Sequence, residues 1–211
     1  GKIAQEKVDA ILAAITPGVK EDLCADCDLI VEAAFENMEV KKKTFQELDK
    51  LCKQETVFAS NTSSLSITEI GNGANTTPEM VEFITNLSKA INKVPVQVNE
   101  AAGFIVNRIL IPEINEACYI KMEGVASIED IDTAMKLGSN HPMGPFELGD
   151  FIGLDVCLAI MEVLYNEMGD TKYRPCPLLR KMVRSGNLGC KTGKGFYIYN
   201  ADRTKTAIDA K

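Results

Sequence analysis

The sequence predicts an α/β protein: an incomplete doubly wound parallel sheet followed by an all-helical C-terminal domain. Three observations predict this. Two apolar runs of strand length, residues 28–34 and 56–60, alternate with helical stripes in the first hundred residues, as in parallel α/β sheets. From Gly103 onward no buried-strand run is convincing, and helical stripes follow one another. The change falls near residues 99–103, dividing the chain into domains 1–99 and 100–211.

Taken in order, Val8, Ile11, Leu12 and Ile15 form an i, i+3, i+4, i+7 stripe over residues 2–15, stopped by Thr16-Pro17-Gly18. The first predicted element is thus a helix with no strand before it. Leu29-Ile30-Val31 places three apolar residues in succession, which suits a parallel strand buried on both faces. A helix over 38–52 turns Phe45, Leu48 and Leu51 inward. Residues 56–60 form the second strand, and Ser66-Ile67-Thr68-Glu69 reads as a capping box opening a helix. Thr77-Pro78 starts the next helix, which runs to about Ile91, and residues 94–98 read as one more short strand. Beyond Gly103 the stripes cover 104–122, 128–137, 146–150, 153–168 and 177–185. Ser127 is a predicted N-terminal cap, and Gly169 and Gly186 are predicted stops. The tail after Asn200 reads as a solvated end.

The net charge of −7 argues against non-specific nucleic-acid binding, which needs a basic face. No apolar run is long enough to span a bilayer and no charged-then-apolar leader opens the sequence, so a cytoplasmic protein is expected. Seven scattered cysteines read as reduced thiols. Cys24-Ala-Asp-Cys27 has no second pair at zinc-site spacing and precedes a strand, so it reads as two half-buried thiols; no metal is expected.

Ligands of open parallel sheets bind beyond the carboxyl ends of the strands. Two polar groups fall there: Glu36, Asn37 and Lys41 after the first strand, and Asn61 to Ser64 after the second. Hydroxyl-rich turns also serve as caps, and both readings of Asn61 to Ser64 stand at this level.

Five blocks resemble one family. They are Val31-Glu-Ala-Ala-Phe-Glu-Asn37, Ala59-Ser-Asn-Thr-Ser-Ser-Leu65, Gly103 to Pro112 (GFIVNRILIP), His141-Pro-Met-Gly-Pro145 and Lys191-Thr-Gly-Lys-Gly-Phe-Tyr197. Together, and in this order, they resemble the L-3-hydroxyacyl-CoA dehydrogenases, most strongly the bacterial enzymes acting on 3-hydroxybutyryl-CoA. The resemblance implies a Rossmann-like NAD-binding domain and hydride exchange between NAD(H) and an acyl-CoA substrate, with NADP not excluded. It also implies a homodimer formed through the helical domain, where Ile105, Val106, Ile109, Leu110 and Ile114 offer a broad apolar face. By the same resemblance, Glu36 and Lys41 contact the nicotinamide ribose region, Ser63 lies between cofactor and substrate, and Lys191 is a further cofactor contact. Asn107 is the active-site asparagine that holds the acyl group and orients the base.

Two departures accompany it. The family's G-x-G-x-x-G turn does not occur, and glycines 189, 193 and 195 read only as a turn. The family also places a His-Phe-Phe-Asn-Pro strand and a Lys-Leu-Val-Glu-Val strand where Gly73 to Thr77 run here. They carry the general base and the glutamate that orients it. The only histidine is His141, read as structural. The expectation is therefore a dehydrogenase whose 211 residues do not turn over alone. The alternative is a catalytically silent module that dimerises and contacts acyl-CoA, and a weaker one is another member of the β-hydroxyacid dehydrogenase group.

Overall fold

A computed structural model of the chain describes residues 3–35, 37–62, 65–67, 70, 77–202 and 204–209. They form two compact units, one from within residues 1–62 and 67–74, the other from within 63–66 and 75–211.

In the first unit, α1 (Gln5–Ala13) and the short α2 (Lys20–Leu23) precede β1 (Leu29–Glu32), α3 (Met38–Leu51) and β2 (Val57–Ser60). β1 and β2 pair in parallel, with Leu29 opposite Val57 and Glu32 opposite Ser60. Asn37 caps α3 by accepting from the Val40 amide at 3.1 Å. The helix crosses one face of the sheet: Leu48 is buried and the Phe45 ring meets Phe58 edge-on, with centroids 5.8 Å apart. The amphipathic stripe of α1 has little to pack against, since Ile11, Leu12 and Ile15 stay exposed, as does Val31 on β1. Among the described residues the parallel sheet has two strands, and exposed apolar surface accompanies it.

In the second unit, α4 (Pro78–Ala90) is followed by α5 (Val106–Met122), α6 (Ile128–Gly138), α7 (Pro145–Ile152), α8 (Leu154–Met168) and α9 (Pro177–Arg184). β3 (Tyr197–Tyr199) and β4 (Lys205–Ala207) then form an antiparallel hairpin. Thr77 and Ser127 cap their helices through the amides of Met80 and Asp130. Gly169 ends α8 in the left-handed conformation, at φ 63°. α5, α7, α8 and α9 enclose a core containing Ile111, Ile114, Phe146, Leu154, Met161 and Leu179.

Three expectations change. The first strand is not buried on both faces, since Val31 is 61% exposed. Residues 94–98 are not a strand: Val94 and Val96 are 90% and 70% exposed, and the segment has no regular structure. An extended run becomes a strand only against a partner ladder, and Pro95 removes one of its few donors. The tail is not simply a solvated end. Asn200 and Thr204 close a turn through Asn200 N–H to the Thr204 carbonyl (2.9 Å), and Ala207 on β4 is 3% exposed. Asp209 pairs with Lys121 on α5, which fastens the tail to the helical core.

Two buried carboxylates dock this hairpin. Asp150, on α7, accepts from the amides of Phe196 and Tyr197 at 2.9 Å each and from the Tyr199 hydroxyl at 3.0 Å. Asp132, on α6, accepts from the Phe146 and Glu147 amides (2.8 and 3.0 Å) and from the Tyr197 hydroxyl at 2.8 Å. Gly195 permits the approach, because a Cβ there would collide with the Asp150 carboxylate.

Candidate functional site

The first unit carries its polar chemistry at the carboxyl ends of the two strands. Glu32 ends β1 and Ser60 ends β2, side by side in register. The side chains are brought together by α3, whose inward stripe of Phe45 and Leu48 extends back one turn to Lys41. Lys41 is fully buried and Glu32 is 4% exposed. The Lys41 ammonium donates to both oxygens of Glu32, at 2.9 and 3.0 Å, and to the Ala34 carbonyl at 3.3 Å. Ser60 Oγ donates to Glu32 Oε2 at 2.6 Å, and the Ala34 amide also donates to Glu32.

A buried carboxylate is expected to titrate high. Here burial does push Glu32 up, but the Ser60 hydroxyl, the Lys41 ammonium and the Ala34 amide outweigh it and hold the group below its ordinary value. Glu32 is therefore an ionised anchor and not a general base at neutral pH. The network fixes the start of the loop that follows β1. Beyond β2, Asn61 N–H donates to the Glu32 carbonyl (2.7 Å) and Thr62 N–H to Ser60 Oγ (3.2 Å), so the second loop leaves from the same anchor.

Glu36 and Ser63 lie outside the described residues. Lys41 lies within them, with its ammonium enclosed against Glu32 as just described. The Glu32–Lys41 pair was missed in the sequence. The signal was available as the spacing of Lys41, Phe45 and Leu48, but a lysine on an apolar stripe is ordinarily read as solvated.

In the second unit, Asn107 is the second residue of α5 and half-buried. It follows two residues with left-handed backbone, Gly103 at φ 70° and Phe104 at φ 46°. The turn is held by Phe104 N–H to the Ala101 carbonyl (2.9 Å) and Arg108 N–H to the Gly103 carbonyl (3.2 Å). A phenylalanine at positive φ costs on the order of 1–2 kcal/mol, so the fold sets the direction of the α5 amino end against a local preference. Lys191 is exposed in the turn before β3 and pairs with Asp155 on the first turn of α8 at 2.5 Å. His141 Nδ1 lies 3.2 Å from Glu113 Oε1, on α5, which ties the loop before α7 to that helix.

The buried network of Glu32, Ser60 and Lys41 lies at the carboxyl ends of the paired strands, the edge at which open parallel sheets bind their ligands. A parallel sheet with an anchored polar edge, joined in one chain to a mainly helical unit, is the layout of the nicotinamide-dependent dehydrogenases with helical C-terminal domains.

Within that class the comparisons are specific. Residues 1–75 match the family described as 3-hydroxyacyl-CoA dehydrogenase, NAD binding domain, and residues 103–199 match the corresponding C-terminal domain. The chain is similar to a 3-hydroxybutyryl-CoA dehydrogenase of Clostridioides difficile, 56% identical over 207 residues, covering 85% of this chain and 73% of the relative. A probable 3-hydroxybutyryl-CoA dehydrogenase of Bacillus subtilis is 44% identical over 226 residues, covering 94% and 79%. The crystal structure of (S)-3-hydroxybutyryl-CoA dehydrogenase from Ralstonia eutropha superposes with a TM-score of 0.85 at 41% identity, covering 94% of this chain and 80% of that one. The chain belongs to the 3-hydroxyacyl-CoA dehydrogenase family.

Proposed function

We propose that the protein interconverts a short-chain L-3-hydroxyacyl-CoA, 3-hydroxybutyryl-CoA, and the matching 3-ketoacyl-CoA by hydride transfer with NAD(H). The observation that carries this is the 56% identity to the Clostridioides difficile relative of that name. The proposed functional division is a cofactor domain over 1–99 and a helical substrate domain over 100–211, a boundary later in the chain than that of the compact units, which assigns residues 77–99 to the second. When bound, NAD supplies the carbon that takes hydride from the substrate's C3. Glu36, Ser63, Lys41 and Lys191 are the proposed cofactor residues. Lys41 acts through its pair with Glu32, which anchors the end of β1 four residues before Glu36 in the sequence, and Ser63 comes three residues after Ser60, which bonds the same carboxylate. Lys191 is placed by Asp155. Asn107 is the proposed acyl-group ligand; its carboxamide can donate to the thioester carbonyl and accept from a protonated base.

The proton that leaves the 3-hydroxyl needs a base, and we assign that role to none of the described residues. Glu32 is held ionised and low, and His141 is engaged with Glu113. The aligned span with the Bacillus subtilis relative is 226 residues, longer than the whole 211-residue chain although 94% of the chain takes part. That relative carries internal residues absent here, which supports the expectation that these 211 residues alone do not turn over.

The test is acetoacetyl-CoA-dependent oxidation of NADH, followed at 340 nm. The 211-residue chain is expected to show none. A chimera supplied with the unmatched residues of the Clostridioides difficile relative is expected to turn over. Activity of the bare chain would overturn the assignment of the base; an inactive, folded chimera that binds NADH would overturn the substrate assignment.

The apolar amino end of α5 supports a homodimer. Ile105, Val106 and Ile109 are 51%, 66% and 66% exposed, while Ile114 of the same predicted face is core. Light scattering is expected to give a dimer that Ile109→Asp converts to monomer. A cytoplasmic location is proposed for it; among the described residues no helix is long and apolar enough to cross a membrane.

A further inference from the structure

The amino ends of β1 and β2, opposite the Glu32–Lys41 network, hold three of the seven cysteines. Cys24 ends α2, and Cys27 N–H donates to its carbonyl at 3.2 Å, so the two thiols sit at the ends of a single tight turn. Such a turn keeps its end Cα atoms within about 7 Å, the outer edge of disulfide reach. Cys52 ends α3, and the next residue, Lys53, donates its amide to the Ala25 carbonyl inside that turn at 3.2 Å. Thr56 Oγ fastens the other side, donating to the Cys27 carbonyl at 2.7 Å. All three thiols are half-buried, whereas Cys118, Cys157 and Cys176 are sealed in the helical core.

We propose that Cys24, Cys27 and Cys52 form a redox site in which Cys52 and one thiol of the turn join as a disulfide. Backbone hydrogen bonds, not chance proximity of flexible chains, gather the three residues.

With hydrogen peroxide as oxidant, a turn thiolate attacks one oxygen, giving a sulfenic acid and, after protonation, one water. Cys52 sulfur then attacks that sulfur, the S–S bond forms and the second water leaves. Two electrons pass from the two sulfurs to the peroxide, and both thiol protons end in water. The first attack falls to the turn, because burial and the neighbouring Cys24 and Cys27 push the Cys52 thiol up. The remaining turn thiol can exchange into the bond, and an external dithiol returns all three to the reduced state.

The bond would join the end of α3 to the residues before β1. Both elements that hold Glu32 and Lys41 would then lie inside one covalent loop. Oxidation is expected to slow opening of the first unit.

The test treats the reduced full chain with a few-fold excess of hydrogen peroxide, alkylates remaining thiols and maps peptides without reduction. The expected product is a peptide pair linking Cys52 to the Cys24–Cys27 segment, lost on adding dithiothreitol and retained in Cys190→Ser. Amide exchange of β1 should slow on oxidation and recover on reduction. Cys52→Ser should abolish the linked pair. Linkage confined to Cys24 and Cys27, linkage only through Cys190, or over-oxidation of separate thiols without any cross-link would overturn the proposal. The mapping on the unmutated chain decides the matter even if Cys52→Ser folds poorly.

Discussion

Replacing Asp150 by alanine is expected to destabilise the helical unit by at least ~3 kcal/mol and to release the C-terminal hairpin. The carboxylate is completely buried and accepts three hydrogen bonds, from Phe196 N–H, Tyr197 N–H and Tyr199 Oη. Truncation leaves three donors without an acceptor, the two amides buried and the Tyr199 hydroxyl part-buried, and each orphaned buried donor costs about 1–3 kcal/mol. The Tyr199 phenol cannot escape by ionising, since burial is the largest influence on it and pushes it up. Phe196 is 1% exposed and its ring lies 4.4 Å from that of Phe146, so detachment of the hairpin also opens the core. Chemical denaturation would read the loss, and amide exchange at Phe196 and Tyr197 would locate it. Asp132→Ala should behave similarly. The double substitution should cost less than the two singles together, because Tyr197 binds Asp150 through its amide and Asp132 through its hydroxyl. Strict additivity would mean that the two carboxylates hold separate structures.

That arrangement explains what could and could not be read from the sequence. Helix starts were legible because caps are local: Thr77-Pro78 and Ser127 act within three residues of themselves. Both strands were legible as apolar runs bounded by polar turns, and the helical half as periodicity. The strand at residues 94–98 was misread because its local pattern is sound while pairing depends on distant residues. The tail was misread for the opposite reason. Lys205 to Ala207 is locally unremarkable, and its burial follows from the hairpin partner Tyr197 and from Asp209 reaching Lys121. Asn107 and Lys191 rest on the sequence blocks that carry them, and their roles stand as proposals. Glu32 and Ser60 were not legible, since their meeting depends on the register of two strands 28 residues apart.

Lys41→Met is expected to cost about 3–5 kcal/mol at neutral pH, the penalty of leaving one charge of a buried pair without its partner. Lys41 and Glu32 have side chains 1% exposed each, so little solvent screening softens the loss. The pH dependence separates this from mere loss of packing. In the native protein Glu32 titrates below its ordinary value, so its contribution is complete above the unfolded value and fades as pH falls through the lower, folded one. Without Lys41 the desolvation of Glu32, which is already its largest single influence, is opposed by Ser60 and the Ala34 amide alone. The folded value should then rise, and the variant should be least penalised in acid. The stability gap between the two proteins should therefore narrow on acidification through the region near and below 4.5, followed by urea denaturation at stepped pH. A gap independent of pH would show that Lys41 contributes through its methylenes and not through its charge. Adding Glu32→Leu to Lys41→Met removes the stranded carboxylate and should recover most of the loss. What remains would measure the Ser60 hydroxyl and the Ala34 amide, the donors that still need an acceptor. A double variant no more stable than Lys41→Met would mean that the carboxylate had already been protonated or solvated, and that the strand ends are held by packing alone.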